Sequence, residues 1–75
     1  MVRSDIYTAV DAERKSQDEK WPNREQYKYA APHILVLETK ISRLRAIWYE
    51  SKKEDIKAEL VKIAAIAVRA LEEVQ

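Results

Sequence analysis

Apolar residues at Ile56, Leu60, Ile63, Ala67 and Ala70 recur at the four-three spacing that lines one face of a helix. Val61, Ala64, Val68 and Leu71 draw a second stripe beside the first, and Arg69 is the only charge between Ile63 and Leu71. A helix that is apolar most of the way round needs cover on more than one side. Its alanines would also let a neighbouring backbone come close. Residues 52–74 are therefore read as the central helix of a bundle that a second chain completes. Upstream, Ile34, Leu37, Ile41, Leu44 and Trp48 form a narrower seam of the coiled-coil kind, predicting a helix over residues 32–50. Pro32 suits its first turn, where the missing N–H costs nothing. A first helix over residues 4–20, with Ser4 or Asp5 as its cap, starts an apolar stripe at Ile6 and Val10. The stripe turns polar at Glu13 and Gln17 before Trp21 closes it. Either that helix end projects into solvent, or its polar side chains are turned toward a pocket.

The connections are read from breakers and caps. Trp21-Pro22-Asn23 ends the first helix, because the residue before a proline is pushed out of the helical region. Residues 22–31 then make a polar connection bearing Tyr27 and Tyr29. Ser51-Lys52-Lys53-Glu54 has the capping-box pattern, with Ser51 and Glu54 each able to bond the other's backbone at a helix start. The second connection is then about two to four residues long, and the last two helices form an antiparallel hairpin. The expected fold is all-α: one helical domain over residues 1–75.

Composition narrows the chemistry. A chain of 75 residues buries too little surface to be robust alone, and with no cysteine it has neither disulfides nor a thiolate metal site. Glycine is absent, which excludes phosphate-cradling glycine loops. Lys and Arg number 14 against 13 Asp and Glu, so a net charge of +1 implies no general pull toward nucleic acid. No stretch approaches ~20 apolar residues and no basic-then-apolar leader opens the chain; a soluble, cytoplasmic protein with no membrane partner is expected.

Few residues suggest catalysis. His33, the only histidine, has no carboxylate near it at ligand spacing and reads as a solvent-facing residue near a helix start. No serine, histidine and carboxylate pattern supports acyl transfer. Glu54-Asp55 and Glu72-Glu73 sit at helix ends as solvated charge, Lys52-Lys53 is too short for a nucleic-acid stripe, and Trp48 fits the packing seam.

The stretch Glu13-Arg14-Lys15-Ser16-Gln17-Asp18-Glu19-Lys20-Trp21 resembles the start of small MazG-like proteins, members of the all-α nucleoside triphosphate pyrophosphohydrolase superfamily. Ile34-Leu35-Val36-Leu37-Glu38 is similar to the family's apolar lead into its first metal motif. Residues 59–68, from Glu59 through the alanine-rich run, are similar to its second motif helix. The resemblance spans about residues 7–74 in family order. It implies a scaffold that binds nucleotides and, in the family, uses Mg²⁺ held by E-x-x-E and E-x-x-D pairs to release a nucleoside monophosphate and pyrophosphate. Hard cations need such oxygen ligands.

Here the metal motif is broken. The first pair falls at Lys40 and Arg43, or at Thr39 and Ser42 in a register shifted by one. In the second pair Glu59 is retained but its partner position is Lys62. The resemblance then implies a nucleotide-binding relative without Mg²⁺ or any other cofactor. Glu13, Gln17, Lys20 and Trp21 would line the base or sugar side, and Lys40, Arg43, Glu59 and Lys62 would stand where the metal stood. Cations there suit direct contact with phosphates; alternatively Lys40 and Arg43 are solvated or pair with Glu59 across the hairpin. Two other functions are open to such a chain: a structural or protein-binding helical module, and residual hydrolysis using Glu38, Glu59 and an unusual metal arrangement. Small members of the family are often carried by phages. The resemblance therefore also implies a phage role in nucleotide metabolism or in blunting nucleotide-signalled defence, in host cytoplasm, as a homodimer or homotetramer.

Overall fold

The computed structural model describes residues 2–21 and 29–74, and every regular element among them is helical: α1 (Arg3–Lys20), α2 (Ala30–Ile47) and α3 (Lys53–Glu73). α1 stops where the sequence requires. Trp21, placed before a proline, leaves the helical region at φ −132° and ψ 67° while its N–H still donates to the Gln17 carbonyl at 2.9 Å. α2 begins at Ala30, which puts Pro32 inside the first turn. The tyrosine-bearing connection falls almost wholly outside the described residues. No helix among the described residues is long and apolar enough to cross a membrane.

α3 is the centre of the fold. α1 packs on one side of it and α2 on another, and α1 and α2 do not pack against each other among the described residues. Ile6 and Val10 lie beside residues 57–64, and the carboxyl end of α1 meets Arg69, so α1 runs in the same sense as α3. α2 runs the other way: His33 reaches Glu73, while Leu44 and Ile47 lie beside Ile56 and Glu59. The result is an up-down-up arrangement with its last helix in the middle. The carboxyl ends of α1 and α3 and the amino end of α2 meet at one end.

Four local expectations are corrected. α1 starts from Val2 and α3 from Lys52, and neither start has a side-chain cap, so Ser4, Asp5 and the Ser51–Glu54 box do not close these helices. α2 ends at Ile47 and a turn over residues 48–50 follows, making the hairpin connection five residues long. Trp48 is 49 % exposed, with its ring against that of Tyr49 at a centroid separation of 4.0 Å, so it belongs to the turn and not to the seam. The packing face of α2 is also rotated. Ile34 and Ile41 lie outward, and His33, Val36, Leu37, Lys40 and Leu44 face α3. α2 carries apolar residues on several sides (Ile34, Leu35, Val36 and Leu37 are consecutive), so periodicity alone does not select the inward side. The approach of His33 to Glu73 and the cleft that Val36 shares with Ile66 mark that side.

The apolar core is thin. Among the described residues only Ala65 and Ile66 are buried hydrophobic ones, whereas Arg14, Gln17, His33 and Arg69 are buried and polar. Such groups are tolerated inside only when hydrogen-bonded or paired, and that requirement shapes the end of the bundle where they gather.

Candidate functional site

The polar second half of α1's inner stripe is turned inward. Gln17, only 2 % exposed, donates from Nε2 to Glu13 Oε2 at 3.3 Å and to the Lys62 carbonyl at 3.4 Å. Both partners are acceptors, so Oε1 is fixed as the remaining acceptor of the amide. That Oε1 is buried and receives no hydrogen bond from the described residues. One turn away, the Arg14 guanidinium forks onto one oxygen of Glu72 and donates to Asp18 at 2.8 Å. The hydrogen bonds it donates to Glu72 raise the guanidinium's affinity for its proton above the ordinary value, against burial and with help from Asp18. Arg14 thus clamps α1 to the last turn of α3.

Arg69 makes a second clamp. Its Nη2 donates to the Trp21 carbonyl at 2.7 Å and its Nη1 to the Gln17 carbonyl at 3.3 Å, reaching backbone acceptors at the carboxyl end of α1. A cation at a helix carboxyl end also complements its dipole. Nε donates to Glu73 Oε1 at 2.6 Å, and Glu73 Oε2 lies 3.6 Å from His33 Nε2. His33, 3 % exposed, is therefore buried against Glu73 and does not face solvent as its sequence position suggested. Glu73 stands forty residues away in the chain, beyond the reach of any local pattern.

These residues wall a cleft of about 230 Å³ lined by Gln17 and Trp21 from the end of α1, His33, Val36 and Lys40 from α2, and Ile66 and Arg69 from α3. Trp21 offers an aromatic surface, half exposed. Lys40 is half-buried and pairs with no carboxylate among the described residues. Arg69 is already committed to Glu73 and to backbone carbonyls. Among the described residues, Lys40 is therefore the cation lining the cleft that is left to meet an anion.

Of the residues marked from sequence, Gln17, Trp21 and Lys40 share this cleft, and Glu13 stands behind it as a hydrogen-bond partner of Gln17. Lys20 is exposed on the last turn of α1 and does not line it. Arg43 is exposed beside a shallow groove with Leu35, Val36, Thr39 and Lys40 on the outer side of α2. Glu59 and Lys62 lie toward the hairpin end, in a different cleft, where Lys62 Nζ pairs with Glu59 Oε1 at 3.3 Å. Glu59 thus pairs along its own helix, and neither Lys40 nor Arg43 reaches it. Arg14 lies within the Glu13–Trp21 stretch but was given no role from sequence, and no motif points to His33 or Glu73 as parts of the site. Arg69 alone carries a signal, as the single charge in an apolar stretch of helix.

Comparison with family models, with curated proteins and with solved structures finds no match. Among the described residues no three of His, Asp and Glu gather to hold a metal ion. Lys40, Arg43 and Lys62 are cations, and the Glu59 carboxylate is engaged by Lys62.

Proposed function

We propose that this protein is a MazG-like relative that binds a nucleotide or nucleotide-derived anion in the Gln17–Trp21–Lys40 cleft without hydrolysing it, and that it works as a homo-oligomer. The observation that carries the reading is the convergence of three different chemistries on one cleft. Trp21 can stack on a base. The side-chain amide of Gln17 lines the cleft, on the side where a base or sugar would lie. Lys40 can meet a phosphate oxygen. Lys40 stands where the resemblance would put a metal ligand, so a direct cation replaces the bridging ion and no water is activated.

Calorimetric titration of nucleoside triphosphates and cyclic nucleotides, first with Mg²⁺ and then with chelator, tests this. Binding should persist in chelator, and Lys40→Ala should weaken it about tenfold, equivalent to ~1.4 kcal/mol. Equal affinities of the wild type and Lys40→Ala would remove the phosphate contact. Loss of binding in chelator together with pyrophosphate release would replace the reading with hydrolysis.

A second reading, a structural or protein-binding module, is favoured by the outward apolar surface of α2 at Ile34, Leu35 and Ile41. Silence across the nucleotide panel with intact self-association would support it.

A further inference from the structure

α3 has three sides and only two are covered by the described helices. The third carries Leu60, Ala64, Ala67, Leu71 and Val74, at a spacing of four, three, four and three, the rhythm of a helix–helix seam. Leu60 is half exposed and Leu71 is 85 % exposed. The central positions read Leu, Ala, Ala, Leu and are the same in either direction. A two-fold interface brings one patch against its own copy, and this spacing lets the patch meet itself in antiparallel register.

The surface also contains its own socket. Lys57, Leu60, Val61 and Ala64, with Ile6 and Val10 of α1 as a side wall, line an apolar groove of about 360 Å³. Four residues at this spacing form the hole that receives one side chain of a facing helix. In an antiparallel pair centred between Ala64 and Ala67, Leu71 of the second copy falls opposite this hole, and the symmetry repeats the fit at the other end. The alanines at the crossing let the backbones approach closely. Area agrees: the chain exposes 5851 Å², whereas a compact chain of 8.8 kDa exposes roughly 4,800 Å². The excess of roughly 1,000 Å² is comparable to the ~800 Å² that each partner buries in a standard interface.

We propose that a second copy of this chain docks on the open side of α3, antiparallel about a two-fold axis, with each Leu71 seated in the other's groove at Leu60 and Val61. This deepens the proposed self-association and rests on it. At 1.5 Å of rise per residue, the two Ala67 positions lie ~5 Å apart along the axis and the two Leu60 positions ~16 Å apart.

The test combines light scattering with cross-linking, in a chain that has no native cysteine. The wild type should be at least a dimer, and Leu71→Glu should halve its mass while keeping its helical circular dichroism. Ala67→Cys should oxidise to a covalent dimer. Leu60→Cys should not link to itself, but should link when mixed with Leu71→Cys. A monomeric wild type overturns both self-association and this interface. An oligomer that survives Leu71→Glu, or in which Leu60→Cys links to itself, keeps self-association and overturns this seam and orientation. Should Leu71→Glu fail to fold, the cysteine pairs decide the orientation without it.

Discussion

Arg69 shows how one residue couples packing to the site. It sits on the apolar helix α3, yet its guanidinium bonds the Gln17 and Trp21 carbonyls and Glu73 at once. It thereby fixes the end of α1 and places Trp21 at the cleft. Gln17 is held differently. Its partners are the half-buried Glu13 and the Lys62 carbonyl, and the latter lies inside α3 where the helix ladder already satisfies it. Its Oε1 is buried without a donor among the described residues, a condition that lowers stability by about 1–3 kcal/mol. Gln17→Met keeps the volume and removes the orphaned acceptor. Denaturant unfolding should show stability within ~1 kcal/mol of the wild type or above it, while nucleotide affinity falls about tenfold. A variant that binds as tightly as the wild type would show that Gln17 is only structural. His33 departs from its sequence expectation because its partner, Glu73, lies at the far end of the chain, and no local spacing connects them.

At the scale of elements, the helices follow local rules closely while their caps do not. Trp21, the residue before a proline, leaves the helical region and ends α1, and Pro32 sits in the first turn of α2, where its missing N–H costs nothing. α3 instead starts from Lys52, a residue with no side-chain acceptor, and its first-turn acids Glu54 and Asp55 serve the dipole without closing the end. Lys52→Ser should add the missing cap and raise stability by about 0.5–1 kcal/mol in urea titration; no change would mean the helix start is already satisfied. α2 makes the opposite point. Its coiled-coil spacing runs through Ile34, Ile41 and Trp48, but the face through His33, Val36 and Lys40 packs on α3. A helix apolar on several sides does not encode its own rotation.

At the scale of the whole molecule, two buried hydrophobic residues among those described are a small core for a chain of 75. Clamps at Arg14 and Arg69 supply order, but salt bridges are weak sources of net stability. Stability should therefore depend on association. The melting temperature should rise with protein concentration, by several degrees over roughly a hundredfold range, as mass action requires. A flat profile would show that the single chain carries its own stability.

The sequence by itself determined three helices, their approximate ends and the central place of the alanine-rich one. Those properties come from near-neighbour periodicity and from proline, which act within a few residues. It also marked Gln17, Trp21 and Lys40, whose common cleft is a fact of packing. Tertiary structure alone decided which side of α2 faces inward, that His33 and Arg69 are buried, and that Glu59 pairs with Lys62 and not across the hairpin. Each of these depends on a competition between partners distant in the chain, and on the cost of leaving a buried polar group unpaired, which no local pattern records.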